Sequence, residues 1–246
     1  MPRSRNSLRS PDELHIPLET GAGVTSLVYR SERPAPHATL ILAHGAGAGQ
    51  RSPFVVAFAR ALSSRGLDTV TFNFPYTEQQ RRVPDRRPVL DACYDAVVVH
   101  VRRHLESART ALFIGGKSMG GRIATHIAAA DPKLPVTGLV LLGYPLHPPG
   151  KPAERRYAHL GDVRRPMLIV QGSRDTFGTP AEFESLLERL SPRPTLHVVD
   201  GGDHSFKVSR GGKAIQESIY EGIQRTIAEW IERVTRDVRE TPQPPD

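Results

Sequence analysis

The stretch that most constrains the fold of this chain is a serine between two glycines, placed where a strand-like segment gives way to a helix-like one. The apolar run at 111–114 has the length of a strand, and Gly116, Ser118 and Gly120 follow it at alternate positions. A side chain in place of either glycine would crowd a tight strand-to-helix turn. Such a turn lifts the serine hydroxyl clear of the backbone. The N–H groups of the following helix face any negative charge formed there, so the pattern predicts a nucleophilic serine.

The rest of the chain alternates between strand-like and helix-like segments. Two short strands joined by a turn at 21–23 open the chain, and an apolar run typical of a strand buried on both faces follows. This alternation predicts an α/β fold with a mostly parallel, eight-stranded sheet and helices on both faces. Such sheets bind ligands beyond the carboxyl ends of their strands. The predicted strands are 15–19, 24–29, 38–43, 68–74, 111–114, 136–142, 166–170 and 195–199. The predicted helices are 53–64, 88–105, one after the serine, 180–190 and 213–234.

Length and composition indicate one domain in a reducing compartment. A chain of 246 residues, 38% of them hydrophobic, suits a single α/β domain. We expect a flexible N-terminus at 1–12, the domain at 13–238 and a disordered, proline-rich tail at 239–246. No apolar run is long enough to span a membrane, and the basic N-terminus lacks the apolar core of a signal peptide. Cys93 is the single cysteine and is expected to be a small buried hydrophobe, so we predict a cytoplasmic protein without a membrane partner.

The net charge of +7 does not by itself indicate a nucleic-acid partner. Only five of the 33 basic residues are lysine, and the arginines are scattered rather than arranged along one helix. We therefore expect no nucleic-acid partner. The segment around Ser118 resembles the end of a phosphate-binding loop, but the glycine that such a loop needs at 111 is an alanine. With one cysteine and no cluster of carboxylates, no metal or other cofactor is expected.

A nucleophilic serine needs a histidine to take its proton and an acid to orient the histidine. In the matching fold these residues occur in the chain order serine, acid, histidine. Asp175 follows the strand at 166–170, and His204 follows the strand at 195–199, so we predict that Ser118, Asp175 and His204 form the catalytic triad. Asp203 is the nearest rival acid, but as a neighbour of His204 it would struggle to reach the far side of the ring. Asp200 is a weaker alternative.

An acyl-transfer site also needs N–H donors for the negatively charged oxygen of the intermediate. One donor is expected to be the backbone N–H of Met119, directly after the serine. The second is expected from the glycine-rich loop after the third strand, where small residues let the backbone approach a substrate. Ala46 is our first choice for it and Gly47 our second.

Basic residues near the same edge of the sheet predict a preference for anionic substrates. The loop after the fourth strand carries arginines at 81, 82, 86 and 87, and Lys117 stands beside the serine. Arginine binds carboxylates and phosphates through two parallel hydrogen bonds. We therefore name Lys117, Tyr76, Arg82 and Arg86 as the substrate-binding residues.

Several motifs resemble those of a known family. They are GGKSMGGR at 115–122, FNFPY at 72–76, PDR at 84–86 and GYPLHPPGK at 143–151. In these the chain resembles the small bacterial α/β-hydrolases over about residues 14–234. That group is related to a testis-expressed animal homologue and to a subunit of a histone-acetyltransferase complex, and more distantly to dienelactone hydrolases. The resemblance implies an α/β-hydrolase fold. Dienelactone hydrolases use a cysteine nucleophile, whereas this chain has a serine. The resemblance therefore implies no particular substrate.

The segment between the sixth and seventh strands, where a lid normally lies, is too short for a cap domain. Residues 144–165 include prolines at 145, 148, 149 and 152, which oppose long helices. The site is expected to be open, or to be covered by a second copy of the chain in a homo-oligomer.

These features together predict a serine hydrolase that cleaves a small or medium acyl compound, an ester in the first instance, through an acyl-enzyme. A peptidase or thioesterase would use the same triad, and a non-catalytic interaction module would keep the fold alone. These alternatives stay open at this point.

Overall fold

The computed structural model describes residues 9–19, 21–33, 37–209 and 212–240. Its centre is one eight-stranded sheet. The strands are β1 Asp12–Pro17, β2 Gly23–Tyr29, β3 Thr39–Ala43, β4 Asp68–Phe72, β5 Leu112–Lys117, β6 Gly138–Leu142, β7 Met167–Gly172 and β8 Thr195–Val199. Their order across the sheet is β1-β2-β4-β3-β5-β6-β7-β8, and β2 pairs antiparallel with both neighbours while the other pairs are parallel. The mostly parallel, eight-stranded sheet is confirmed.

Helices cover both faces of this sheet and bury two apolar cores. The helices are α1 Pro53–Ser64, α2 Pro75–Glu78, α3 Arg87–His104, α4 Glu106–Thr110, α5 Met119–Ala130, α6 Pro180–Leu187 and α7 Lys213–Glu240, with a 3-10 turn at Ala158–Asp162. One core joins α3, α5 and α6 to the sheet, and the other joins α1 and α7 to its opposite face. The central strands are buried on both sides, which explains why they read as continuous apolar runs.

Several predicted boundaries differ from the structure by one to six residues, four of them as follows. The fourth strand ends at Phe72 rather than at 74, because Pro75 begins the helical turn α2. The last helix continues to Glu240, past its predicted end at 234 and into the first two residues of the predicted tail. The first strand begins at Asp12, inside the predicted N-terminal segment. Helix α6 ends at Leu187, short of 190. Residues 1–8 and 241–246, and with them the expected disorder at both ends, lie outside the described residues.

The segment between β6 and β7 forms no cap domain. The only helix in residues 143–166 is the 3-10 turn, and that turn packs against α5. The carboxyl ends of β3, β5, β7 and β8 are therefore not covered by a lid from this segment, as the prolines predicted.

Gly120 brings helix α5 close to the end of β3. A Cβ atom at this position would lie 2.7 Å from the carbonyl oxygens of Ala43 and His44, a distance that real Cβ atoms do not adopt. Glycine is thus required here by a close backbone approach. The consequence is that the loop after β3 lies directly beside the turn that carries Ser118.

Candidate active site

Ser118 occupies a strained turn between β5 and α5. Its backbone has φ 51° and ψ −111°, a conformation that residues other than glycine rarely adopt. The backbone N–H of Ser118 donates to the carbonyl oxygen of Leu142 at 2.9 Å, and its own carbonyl accepts from Arg122 N at 3.1 Å. These two bonds tie the turn to β6 on one side and to the first turn of α5 on the other. The expected sharp strand-to-helix turn is present.

The three residues predicted as a triad lie within hydrogen-bond distance of one another. Ser118 Oγ is 2.9 Å from His204 Nε2, and His204 Nδ1 is 2.8 Å from Asp175 Oδ2. Asp175 is fully buried, whereas the side chain of His204 is 23% exposed. An ionised Asp175 requires the proton of the ring on Nδ1, which leaves Nε2 free to accept the serine proton. The arrangement can therefore deprotonate Ser118 as it attacks a carbonyl carbon.

Further groups fix the position of Asp175, and the sequence analysis named none of them. Gln171 Nε2 donates to Asp175 Oδ2 at 2.8 Å and to the carbonyl oxygen of Gly178 at 2.8 Å, while Gln171 Oε1 accepts from the Tyr144 N–H. The backbone N–H of Phe177 donates to the other carboxylate oxygen at 2.8 Å. A polar residue at the end of a buried apolar strand was the available signal for Gln171.

The imidazole of His204 is also held by an aromatic ring. Phe177 stacks on it with ring centroids 4.2 Å apart. The ring is thus positioned by a hydrogen bond at one edge and by a stacked face, which limits the geometries from which it can reach Ser118.

The two rival acids do not contact the ring of His204. Asp203 Oδ1 accepts from the backbone N–H groups of Ser205 and Lys207, so its carboxylate closes the loop around His204. Asp200 Oδ1 accepts from Ser173 Oγ at 3.4 Å. The geometry therefore favours Asp175 over both.

The loop after β3 lies against the serine, as expected for a source of oxyanion donors. A Cβ built on Gly45 would be 3.7 Å from Ser118 Cβ, and Ala46, Gly47 and Met119 all line the cleft above the serine. Met119 is the first residue of α5, so its N–H has no acceptor within the helix. The structure brings together all the residues named for this role.

Tyr76 supports this loop and does not line the cleft, which corrects its expected substrate contact. Its hydroxyl donates to the carbonyl oxygen of Ala46 at 2.9 Å, and the residue is 2% exposed. The reason is α2, since that helical turn directs the ring inward, edge-on to the ring of His44. His44 itself is buried, with Nδ1 2.8 Å from the Gly45 carbonyl oxygen and Nε2 accepting from Phe74 N.

Lys117 lines the cleft with its ammonium group buried. The Nζ atom has no hydrogen-bond partner among the described residues and lies 5.6 Å from the centre of the Phe206 ring. Burial lowers the pKa of Lys117 to about 8, although the carboxylates of Asp175 and Asp203 oppose this shift. The group is therefore mostly cationic at neutral pH. Its contact with substrate stays a prediction.

The cleft over Ser118 has a volume of about 970 Å³. Arg82 and Arg86, which we expected in it, are exposed and do not line it. Arg81 Nη2 pairs with Asp85 Oδ1 at 2.6 Å and does not line the cleft either, whereas Pro84, Asp85 and Arg87 do. The cations that do line it are Arg87, Lys117, Arg122, Arg156 and Lys207.

No metal centre is found within the described part of the chain. Three or more histidine, cysteine or acidic side chains do not converge there in a way that could hold an ion. His100 and His104 lie one turn apart on α3, a spacing that the sequence analysis passed over, but their rings stack on each other at 4.0 Å. No described helix is both long and apolar enough to cross a membrane. Cys93 is buried, as predicted.

Comparison with known proteins identifies similar sequences and folds. A family model described as an alpha/beta hydrolase domain matches residues 36–232. A lid-less α/β serine hydrolase from Xanthomonas campestris is 24% identical, with a TM-score of 0.68 over 88% of this chain and 95% of that one. A dienelactone hydrolase from Anabaena variabilis is 19% identical, with a TM-score of 0.68 over 92% of this chain and 99% of that one. An esterase from Pyrococcus furiosus is 16% identical, with a TM-score of 0.71 over 95% of this chain and 94% of that one. At such identities the three structures show a shared fold.

Proposed function

Because this chain belongs to the alpha/beta hydrolase domain family, we propose that it is a serine esterase that acts on small or medium acyl substrates. The observation that carries the proposal is the chain of hydrogen bonds from Ser118 through His204 to Asp175, which opens into the cleft. The strained backbone at Ser118 supports it, since such strain is concentrated at functional sites.

In the proposed reaction Ser118 Oγ attacks the ester carbonyl carbon while its proton passes to His204 Nε2. The carbonyl oxygen becomes negatively charged and is stabilised by the N–H groups of Met119 and of Ala46 or Gly47. Each such donor typically contributes about 2.7–4 kcal/mol in the transition state. The C–O bond to the alcohol then breaks, and the alcohol leaves with the proton from Nε2.

Water completes the cycle by attacking the acyl-enzyme. His204 Nε2 takes a proton from this water, and the hydroxide adds to the acyl carbonyl carbon. The bond from that carbon to Ser118 Oγ breaks, and Oγ recovers the proton from Nε2 as the acid product leaves. Asp175 keeps the ring oriented and balances its positive charge in both halves of the cycle.

The wall of the cleft fits an acyl group of limited length. Apolar side chains from α1, α3 and α5 line it, including Phe54, Leu90 and Ile123. With no cap domain between β6 and β7, a long lipid chain would keep part of its apolar surface in water. We therefore expect short esters to be preferred over long ones.

The test is hydrolysis of a series of 4-nitrophenyl esters from acetate to decanoate. We expect the highest kcat/KM among the shorter esters and loss of measurable turnover in Ser118→Ala. Ser64→Ala is the matched control, because Ser64 is exposed at the end of α1, away from the cleft. No ester hydrolysis by the wild-type protein would contradict the proposal. Faster turnover of thioesters or peptides would reassign the substrate class and leave the triad in place.

A further inference from the structure

The charges that line the cleft are strongly unbalanced. Among the described residues, five cationic side chains line it, whereas Asp85 is the one lining aspartate or glutamate and is itself paired with Arg81. A cleft lined by one sign of charge concentrates the opposite sign and raises its association rate. Three of the cations are arginines, and they come from α3, α5 and the segment between β6 and β7.

Arg122 lies one helical turn beyond the serine. Its backbone N–H donates to the Ser118 carbonyl oxygen at 3.1 Å, and both residues line the cleft. Arg87, at the start of α3, and Arg156, in the segment after β6, line the same cleft. Burial lowers the pKa of Arg122, and the positive charges of Arg156 and Arg87 lower it further, while Tyr144 and Asp91 oppose the shift.

Two stacked histidines lie beside these arginines. His126 Nδ1 is 3.4 Å from Arg87 Nη1, and the rings of His126 and His159 stack at 3.6 Å. Burial is the main cause that lowers the pKa of His126 to about 3 and that of His159 to about 4, and the arginines Arg87 and Arg122 lower both further. Both rings are therefore neutral and add no charge of their own.

The carboxylates near the cluster leave it undercompensated. Asp91 Oδ2 pairs with Arg87 Nη1 at 3.4 Å. Arg122 has no ion pair of its own among the described residues, and its Nε atom is buried with no hydrogen-bond partner there. A buried guanidinium nitrogen without an acceptor is costly unless a ligand supplies one.

We propose that Arg87, Arg122 and Arg156 form a subsite that binds an anionic group of the substrate, a carboxylate or a phosphate, one helical turn from the reacting ester. The inference rests on Ser118 being the nucleophile. It keeps the anionic preference expected from the sequence but moves it from Arg82 and Arg86 to three arginines that line the cleft. Oxyanions accept the paired N–H groups of arginine, and the cleft partly excludes water, which strengthens such bonds.

The kinetic test compares two substrates of equal chain length, 4-nitrophenyl hydrogen adipate and 4-nitrophenyl hexanoate. The wild-type enzyme should show the higher kcat/KM for the adipate, and the preference should shrink as salt is added. Arg122→Gln and Arg156→Gln should lower the adipate-to-hexanoate ratio of kcat/KM about 10- to 100-fold. Arg156 is exposed, so its variant stays informative if Arg122→Gln fails to fold. Arg225→Gln, on the exposed face of α7, is the matched control.

Binding to an inactive protein separates this subsite from the proposed reaction. Titration calorimetry on Ser118→Ala with monomethyl adipate and with butyl phosphate shows which oxyanion is bound. We expect one or both to bind, and to bind about 10-fold more weakly when Arg122→Gln is added. If the wild type fails to hydrolyse the hexanoate but this binding difference is found, the reaction is wrong and the subsite is right. If the ratio and the binding are both unchanged by the arginine substitutions, or are changed only by Arg82→Gln, the subsite is wrong.

Discussion

Replacing Tyr94 by phenylalanine tests how the strand that carries the serine is held. Tyr94 lies on α3 and is fully buried, and its hydroxyl reaches into the sheet at Gly115, three residues before Ser118. The hydroxyl donates to the Gly115 carbonyl oxygen at 2.7 Å, with the Ile41 carbonyl oxygen at 3.2 Å, and accepts from the Gly115 N–H at 2.9 Å. Burial raises the pKa of Tyr94, so the hydroxyl keeps its proton at neutral pH.

The Tyr94→Phe substitution leaves the ring in place and removes only these bonds. The N–H of Gly115 is then buried without an acceptor, which costs about 1–3 kcal/mol. For a chain of this size, 1 kcal/mol corresponds to a shift in Tm of roughly 2–4 °C. Taking about 2 kcal/mol, we expect Tm to fall by about 4–8 °C.

Urea and thermal denaturation of the two proteins measure this loss. Tyr157→Phe is the matched control, because Tyr157 is only half-buried and its hydroxyl makes no hydrogen bond to the described residues. The control should change the free energy of unfolding by less than about 0.5 kcal/mol. If Tyr94→Phe destabilises the protein no more than the control does, the hydroxyl does not hold the strand and the reasoning is wrong.

Three further predictions follow from the site. Asp175→Asn should lower kcat for ester hydrolysis about 10⁴-fold, because an amide favours the wrong tautomer of His204. Asp203→Asn should keep most of the activity. If Asp203→Asn is instead the more damaging variant, the catalytic acid is Asp203. Lys117→Met should raise Tm at pH 7, since the fold lowers the pKa of this lysine to about 8 and so disfavours its charged form. That gain should shrink as the pH rises from about 8 towards 10.5, where the unfolded chain also loses the proton, and a constant gain would refute it. Cys93 should react with a thiol reagent only after unfolding in urea, because burial raises its pKa to about 12, and rapid reaction of the native protein would contradict this.

The parts of the candidate site that local sequence pattern determines could be predicted. Ser118, Asp175 and His204 each come shortly after a buried strand, and the carboxyl ends of parallel strands meet at one edge of a sheet. Gly116 and Gly120 also fit the local pattern, although the backbone that would clash with a side chain at either position belongs to Ala43, at the end of β3. For these positions the strand pattern alone was enough to bring the residues within hydrogen-bond distance.

Other parts depend on contacts between distant loops, and the sequence could not supply them. The role of Gln171 exists only because the 173–178 loop turns back over it. Tyr76 turned inward because of a helical turn too short to leave a periodic pattern. The arginines of the cleft come from three separate elements, so a local count of basic residues favoured Arg82 and Arg86 instead.

For the fold too, local pattern predicted some features and long-range contacts determined others. Strand and helix alternation predicted the layers, but the insertion of β2 between β1 and β4 is a long-range pairing with no local signature. The predicted end of β4 failed because Pro75 starts the helical turn α2, which the apolar run at 68–74 does not indicate.

The most direct test of the central claim is labelling with a fluorophosphonate, which reacts with serines activated as catalytic nucleophiles. The wild-type protein should gain the mass of one adduct, and peptide mass spectrometry should place that adduct on Ser118. Ser118→Ala should gain none, and Ser64→Ala should label like the wild type. Labelling at another residue, or no labelling under conditions that modify an ordinary serine esterase, would contradict the account and favour a hydrolase fold used only for interaction.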